Sequence, residues 1–463
     1  MLRGRSGMAH VCIGVFGRDA SPTGNKGRVL SAKRSYFLGF LMLGLWAAVA
    51  LRRVWGDWGE DLAALYMAGH MIRIGKPELV YLVSAENFVN SVPEAWLPEM
   101  ARLGVGGLTA FPYIYPPLWA VLVAPLTGWL GPRGFNDLFA VAQVSLMVLG
   151  VWLAWRLAGR AARIPFWAWA GFSGLLLQTG FVPAFALELM QPQIAVTILC
   201  ILSVERLAHG RNVAAGVALA VAAAIKLTPA VLVVIFLLER RWHALAAFLL
   251  SAAALLAVGL AVAGGDLHAA FLENTSRIRG VMVLTCPNFS ISSTLYALWY
   301  QLGLVAPLSG EIKNTVIHGP PVSITLLSKV LLAAVLLVAW HAGRRLSEAW
   351  RLPYMLFQLT LFAGLFGPFS WGHYFLVQVL LAPVLLALAG RAVRFGAGFA
   401  VVLGGSVLTV VRMNMWPDPG FTCASAAALT LFAVGLAVSV VAGRAARGHW
   451  PAPGPLRPNE ASL

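Results

Sequence analysis

Charge is scarce in this 463-residue sequence: Asp, Glu, Lys and Arg make up 11% of it, against roughly 25% in an ordinary soluble domain. With 59% hydrophobic residues, a soluble enzyme is excluded. The 4 cysteines are too few for a disulfide scaffold. Acids are rarer than bases, 18 against 34, for a net charge of +16. The bases fall between apolar runs rather than in one stripe, so they address membrane topology and no nucleic-acid partner is expected. No repeat of fixed period is visible, which weakens an inverted-repeat transporter. Also missing are His-Glu-x-x-His and Cys-x-x-Cys spacings and any Walker or Rossmann glycine loop. Neither a metal nor a cofactor is therefore expected, and nothing cytosolic and folded is present to hold a nucleotide-sugar.

What is present is apolar length, enough for up to about 13 spans of ~20 residues. An all-α polytopic membrane protein of about 11–13 transmembrane or re-entrant helices is expected. The first 34 residues carry Arg3, Arg5, Arg18, Lys26, Arg28, Lys33 and Arg34 against Asp19 alone, which assigns residues 1–34 to the cytoplasm. The run 36–51 follows. Ala48-Val49-Ala50 imitates a cleavage site, but the leader is long and more spans follow, so a retained anchor is expected.

Beyond it, Asp57, Glu60, Asp61, Glu78, Glu86, Glu94 and Glu99 supply 7 of the 18 acids. Leu62, Leu65, Tyr66, Met67, Met71 and Ile72 recur there at helical spacing. Residues of about 55–112 thus read as a folded external loop. Further apolar runs cover 113–130, 138–155, 166–187, 194–207, 213–238, 244–263, 322–342, 353–369, 374–389, 395–411 and 421–441.

The clusters Arg156/Arg160/Arg163, Arg206/Arg211, Arg240/Arg241, Arg344/Arg345/Arg351, Arg391/Arg394 and Arg444/Arg447 can all face the cytoplasm on two conditions. The segment around Tyr115-Pro116-Pro117-Leu118 must enter without crossing, and 213–238 must break at Thr228-Pro229. The rival topology lets the first segment cross, keeps the second as one tilted helix and puts Arg156, Arg160 and Arg163 outside. In both, 264–321 is a second large external loop, 35–447 forms the transmembrane domain and 448–463 is a disordered cytoplasmic tail.

Four groups of residues could carry chemistry. Glu60-Asp61 lies just past the outer end of the first helix, where a carboxylate can face a headgroup and an aqueous acceptor; a solvated loop acid or a helix cap is the bland alternative. Lys226 interrupts an apolar run, a costly position that suits a lipid phosphate, unless the side chain snorkels from a helix end. Ser370-Trp371-Gly372-His373-Tyr374 offers an imidazole for a phosphate or a proton, or merely an aromatic belt. Glu188, Gln191 and Gln193 lie at an external helix boundary that a cap and a turn at Pro192 explain equally well. Of the cysteines, Cys12 is expected inside and Cys200 within a span. Cys286 and Cys423 fall near the external face, where an oxidising compartment would allow a disulfide.

Motifs run in order over residues 61–373: DLAALYMAG from Asp61 to Gly69 with Gly75 following, Tyr115-Pro116-Pro117-Leu118, Ala215-Gly216, Lys226-Leu227-Thr228-Pro229, Arg240-Arg241-Trp242, Asn288-Phe289-Ser290 and Ser370-Trp371-Gly372-His373. In order and spacing they resemble the polyprenol-phosphate-dependent mannosyltransferases of glycosyltransferase family 87, in the GT-C superfamily. The chain departs from that pattern where the family often has Gly-Gln-x-Asn and this sequence has Met190-Gln191-Pro192-Gln193. It departs again at Gly372 and Tyr374, where an acid and a second His are common.

The resemblance implies a GT-C-type helical bundle in the plasma (inner) membrane with its active site on the external, periplasmic side. There a hexose, expected to be mannose, would pass with inversion from a polyprenyl-phosphate donor to a lipid or glycan acceptor. Asp61 would be the general base, and Lys226 and His373 would stabilise the departing phosphate. Glu60, Tyr66, Gln191, Gln193, Asn288 and Trp371 are the substrate-binding candidates. Membrane lipids are the other expected partners. A transporter or flippase of a lipid-linked sugar is the alternative from another class, and an O-antigen ligase-like enzyme a third.

Overall fold

Proline decides where these apolar runs start and break, because it has no amide hydrogen and its ring collides with the carbonyl four residues earlier. The computed structural model describes residues 22–83, 92–285, 288–305, 315–384 and 419–444. Their helices are α1 (Pro22–Val54), α2 (Glu60–Arg73), α3 (Leu97–Arg102), α4 (Pro117–Val123), α5 (Leu126–Trp129), α6 (Pro132–Ala154), α7 (Phe166–Thr179), α8 (Phe181–Glu188), α9 (Gln193–Ala208), α10 (Asn212–Ile225), α11 (Val233–Leu238), α12 (Trp242–Arg279), α13 (Ile291–Gln301), α14 (Val322–Gly343), α15 (Glu348–Leu365), α16 (Leu376–Leu381) and α17 (Pro419–Arg444). Strands β1 (Val281–Leu284) and β2 (Thr315–His318) pair antiparallel, Val281 opposite His318. Among the described residues, 5 helices are long and apolar enough to cross a membrane, and α7 with α8 is an apolar pair bent by 64°, a broken span or a re-entrant loop. Pro117–Trp129, Asn212–Ile225, Thr228–Leu238 and Gly372–Leu381 are shorter apolar helices. The protein is an all-α polytopic membrane protein. Arg391, Arg394, the run 395–411, the tail from Gly448, Glu86, Cys12, Cys286 and the side chain of Cys423 lie outside the described residues; Cys200 is buried in α9.

Two breaks follow the proline rule closely. α7 ends at Thr179, four residues before Pro183, and α10 ends at Ile225, four residues before Pro229. The second break thus falls at Lys226, which is extended (φ −150°, ψ 129°), slightly ahead of Thr228-Pro229 where the sequence suggested it. A 3-10 turn, Thr228–Leu232, and α11 then lead back.

α1 and α6 run antiparallel. At one end Tyr36 packs on Trp155 and Phe166, each ring 5.6 Å away. At the other, the Gly56 amide donates to Asp137 Oδ1 at 2.8 Å and the Gly59 amide to Asn136 Oδ1 at 3.1 Å. Arg53 pairs with Glu188 there, bringing the end of α8 to the same place. The segment between α1 and α6 therefore leaves and returns at one end of the bundle. Its α4–α5 portion, Pro117–Trp129, is roughly 20 Å long at 1.5 Å per residue, short of a ~30 Å hydrocarbon core. The opposite end is knitted by ion pairs. Buried Glu205 forms an ion pair with Arg156 at 2.6 Å and accepts from Arg206 at 2.5 Å, Glu239 receives Arg351 through two nitrogens at 2.5 and 2.6 Å, and Arg241 meets Glu348.

α2 to α5 and the paired strands β1 and β2 cover the first end. Glu99 of α3 joins Arg102 at 2.8 Å, Lys76 at 3.5 Å and His70 at 3.7 Å, which fixes the end of α2. Successive β1 residues point to opposite faces. Val283 packs with Val83, Ile278 and Trp371, while Met282 and Leu284 pack with Tyr296 and Ile324.

α10 and α12 pack closely because Gly216 has no side chain: a Cβ there would lie 2.3 Å from the Ala244 carbonyl oxygen. Gly216→Val should push the helices apart and cost about 1–3 kcal/mol, read as a lowered thermal midpoint in detergent. An unchanged midpoint would refute this account of the contact.

Candidate active site

The site begins at the bent pair. Beyond α8 the chain turns through Met190, which is held in the left-handed region (φ 51°). The Met190 carbonyl accepts from Gln143 Nε2 at 2.9 Å, and the Leu189 carbonyl accepts from the Asp61 amide at 3.2 Å. Gly59 permits the close approach, since a Cβ on it would lie 2.5 Å from the Met190 side chain. This docking brings the Asp61 carboxylate into a hydrogen bond with Gln191. Tyr115 Oη donates in turn to Gln191 Oε1 at 3.5 Å.

The broken hairpin supplies the facing wall. Trp119 Nε1 donates to the Ala224 carbonyl at 2.7 Å, tying α4 to the end of α10. Lys226 follows, with Nζ 3.9 Å from the centre of the Tyr374 ring. Asp61 and Lys226 are both partly exposed in the same recess and interact electrostatically. His373 completes the wall. It is 2% exposed, stacks on Phe185 at 5.6 Å and meets Tyr374 edge-on at 4.9 Å. Among the described residues, neither of its ring nitrogens has a hydrogen-bond partner.

α2 is not one of the spans, yet burial pushes the Asp61 carboxyl up to about 7. The Gln191 hydrogen bond and the Lys226 charge pull it down, and Glu60 pushes it up. Burial also raises Glu60. A carboxylate titrating near neutrality beside an ammonium and an unpaired imidazole can take a proton from a neutral nucleophile while its neighbours receive an anion.

The residues expected from sequence divide into two groups. Asp61, Lys226, His373 and Gln191 come together, with Glu60 at the margin, its carbonyl accepting from the Phe111 amide at 3.2 Å. The others serve the frame. Tyr66 is 1% exposed and donates to the carbonyls of Thr127 and Leu130 at 3.4 and 3.3 Å. Gln193 is buried where α9 opens, and Trp371 stacks on Phe369. Asn288 braces the segment before His373: Nδ2 donates to the Val283 carbonyl at 2.6 Å, and Oδ1 accepts from the Ser370 amide at 2.8 Å. Tyr115, Phe185 and Tyr374 had no site role on sequence grounds. The signal for Tyr374 was its place beside His373, which an aromatic belt explained as well.

A family model, described as glycosyltransferase family 87, matches residues 113–363. A curated relative is 27% identical over 331 residues, covering 66% of this chain and 69% of its own. It is the polyprenol-phosphate-mannose-dependent alpha-(1-2)-phosphatidylinositol mannoside mannosyltransferase of Mycolicibacterium smegmatis (strain ATCC 700084 / mc(2)155). No solved structure matches.

Asn288→Ala removes the brace of the segment at Ser370-Trp371. It should destabilise the protein by about 2–4 kcal/mol, because buried partners lose their hydrogen bonds. Thermal unfolding in detergent measures this, and a wild-type midpoint would show that the segment is held by other contacts.

Proposed function

The chain belongs to glycosyltransferase family 87, and from that membership we propose that it transfers mannose from polyprenyl-phosphate-mannose to a lipid or glycan acceptor on the external side of the membrane. The observation that carries the reading is the convergence of Asp61, Lys226 and an unpartnered His373 in one recess. The donor fits because its anionic phosphate matches an ammonium at a helix break, while its polyprenyl chain stays in the bilayer. The relative's name supports mannose and suggests an acceptor of the phosphatidylinositol mannoside kind. By the positive-inside rule the ion-paired end, with Arg156, Arg206, Arg241 and Arg351, faces the cytoplasm. The end that carries Asp61 then faces outward in the plasma membrane, with 55–112 and 264–321 as external loops.

In the reaction, the acceptor oxygen attacks the anomeric carbon as Asp61 removes its proton. The bond from that carbon to the phosphate oxygen breaks, its electron pair stays on the phosphate, and polyprenyl phosphate departs. Attack opposite the leaving group inverts the centre. The phosphate leaves as an anion, so it needs stabilisation more than a proton, and Lys226 and His373 supply that stabilisation. Gln191 and Glu60 border the acceptor side.

Asp61→Asn keeps the shape of the side chain and loses the base, so transfer of labelled mannose from polyprenyl-phosphate-mannose should fall by about 10²–10⁴-fold. A near-wild-type rate in the folded variant would overturn the assignment. Because the base acts deprotonated and titrates near 7, kcat/KM should be level above that pH and drop as pH falls below it, about tenfold per unit. A profile flat down to pH 5 would exclude Asp61 as the titrating group.

A further inference from the structure

Asp61 and Lys226 carry opposite charge in one recess, where a low dielectric strengthens their attraction. Yet that attraction acts through space, with no ion pair within 4.0 Å between them. The ammonium lies instead over the Tyr374 ring, 3.9 Å from its centre. An aromatic face attracts a cation without neutralising it, so it competes with the carboxylate for the ammonium and leaves both charges unspent. The Tyr374 ring is itself fixed. Its amide donates to the Trp371 carbonyl at 2.9 Å, and the ring meets His373 at 4.9 Å, behind which Phe185 stacks at 5.6 Å.

We propose that Tyr374 is a positioning residue whose ring face seats the Lys226 ammonium away from the Asp61 carboxylate. The ammonium then stays open to the anionic group of the substrate, and the carboxylate to the acceptor hydroxyl. This rests on the roles given above to Asp61 and Lys226. The groups that face Asp61 are Glu60 on α2, Gln191 from the turn before α9, Tyr115 from the segment before α4, Lys226 from the break after α10, and Tyr374. Those around Lys226 are Asp61, His373 and Tyr374. Without the seat, the nearest stable position for the ammonium is on the carboxylate, which would lower its basicity and block it.

The test places phenylalanine and its mono-, di- and trifluorinated forms at position 374 of the full-length protein. Fluorine drains the ring face with little change in volume, so a packing role is insensitive to the series. Tyr374→Phe should keep the acid midpoint of kcat/KM, and the fluorinated series should lower kcat/KM for polyprenyl-phosphate-mannose stepwise, by roughly tenfold in all. The acid midpoint should move to lower pH along the series as the ammonium relaxes onto the carboxylate. Tyr374→Leu, where it folds, should lie at the far end of both trends. A flat series, or a loss in Tyr374→Phe as large as in Tyr374→Leu, overturns the seat. If Asp61→Asn also retains transfer, the catalytic reading has failed; if Asp61→Asn is inactive while the series is flat, only the seat has.

Discussion

A helix broken inside an apolar environment frees backbone carbonyls, and each must find a donor that lipid does not provide. That constraint shapes the recess. After Ile225 the freed Ala224 carbonyl takes the Trp119 indole. After Glu188 the Leu189 carbonyl takes the Asp61 amide, and the Met190 carbonyl takes the Gln143 amide group. The bonds that repair the two breaks are therefore the bonds that assemble the site. The prolines which break the spans, Pro183 and Pro229, act as indirectly as any catalytic framework residue can: they create vacancies that the reactive elements fill.

The two ends of the bundle use charge in opposite ways. At the arginine-rich end the buried acids are paired: Glu205 with Arg156 and Arg206, Glu239 with Arg351. Such pairing offsets the cost of burial and produces no reactivity. In the recess, the carboxylate, ammonium and imidazole are held by an amide, a ring face and a stacked phenyl. Groups kept from neutralising one another retain the free energy that a passing ligand can use.

Much of this was legible in the sequence because it is local. A lysine in an apolar run, acids gathered after the first span, and prolines within apolar stretches each state a physical anomaly. The helical class and the break near Pro229 followed from them, whereas the grouping of Asp61, Lys226 and His373 was implied by the family resemblance. Long-range partners left no such trace. Nothing in the spacing says that Tyr374 lies over Lys226, or that Asn288 and Tyr66 satisfy backbone groups and do not face the recess. Met190 shows the other limit. The turn there is left-handed, a conformation that favours glycine, yet this chain keeps a buried methionine against Gly59 and tolerates the strain.

The hairpin of α10 and α11 has both feet at the arginine-rich end, secured through Gly216 to α12 and Glu239 to Arg351. Lys226, at its tip, thus takes its height from one end of the bundle, whereas Asp61, at the start of α2, takes its height from the other. The Trp119 hydrogen bond to the Ala224 carbonyl joins α4 to the tip of that hairpin. Any relative shift of the two ends therefore bears on that one junction, and through it on the spacing of acid and ammonium.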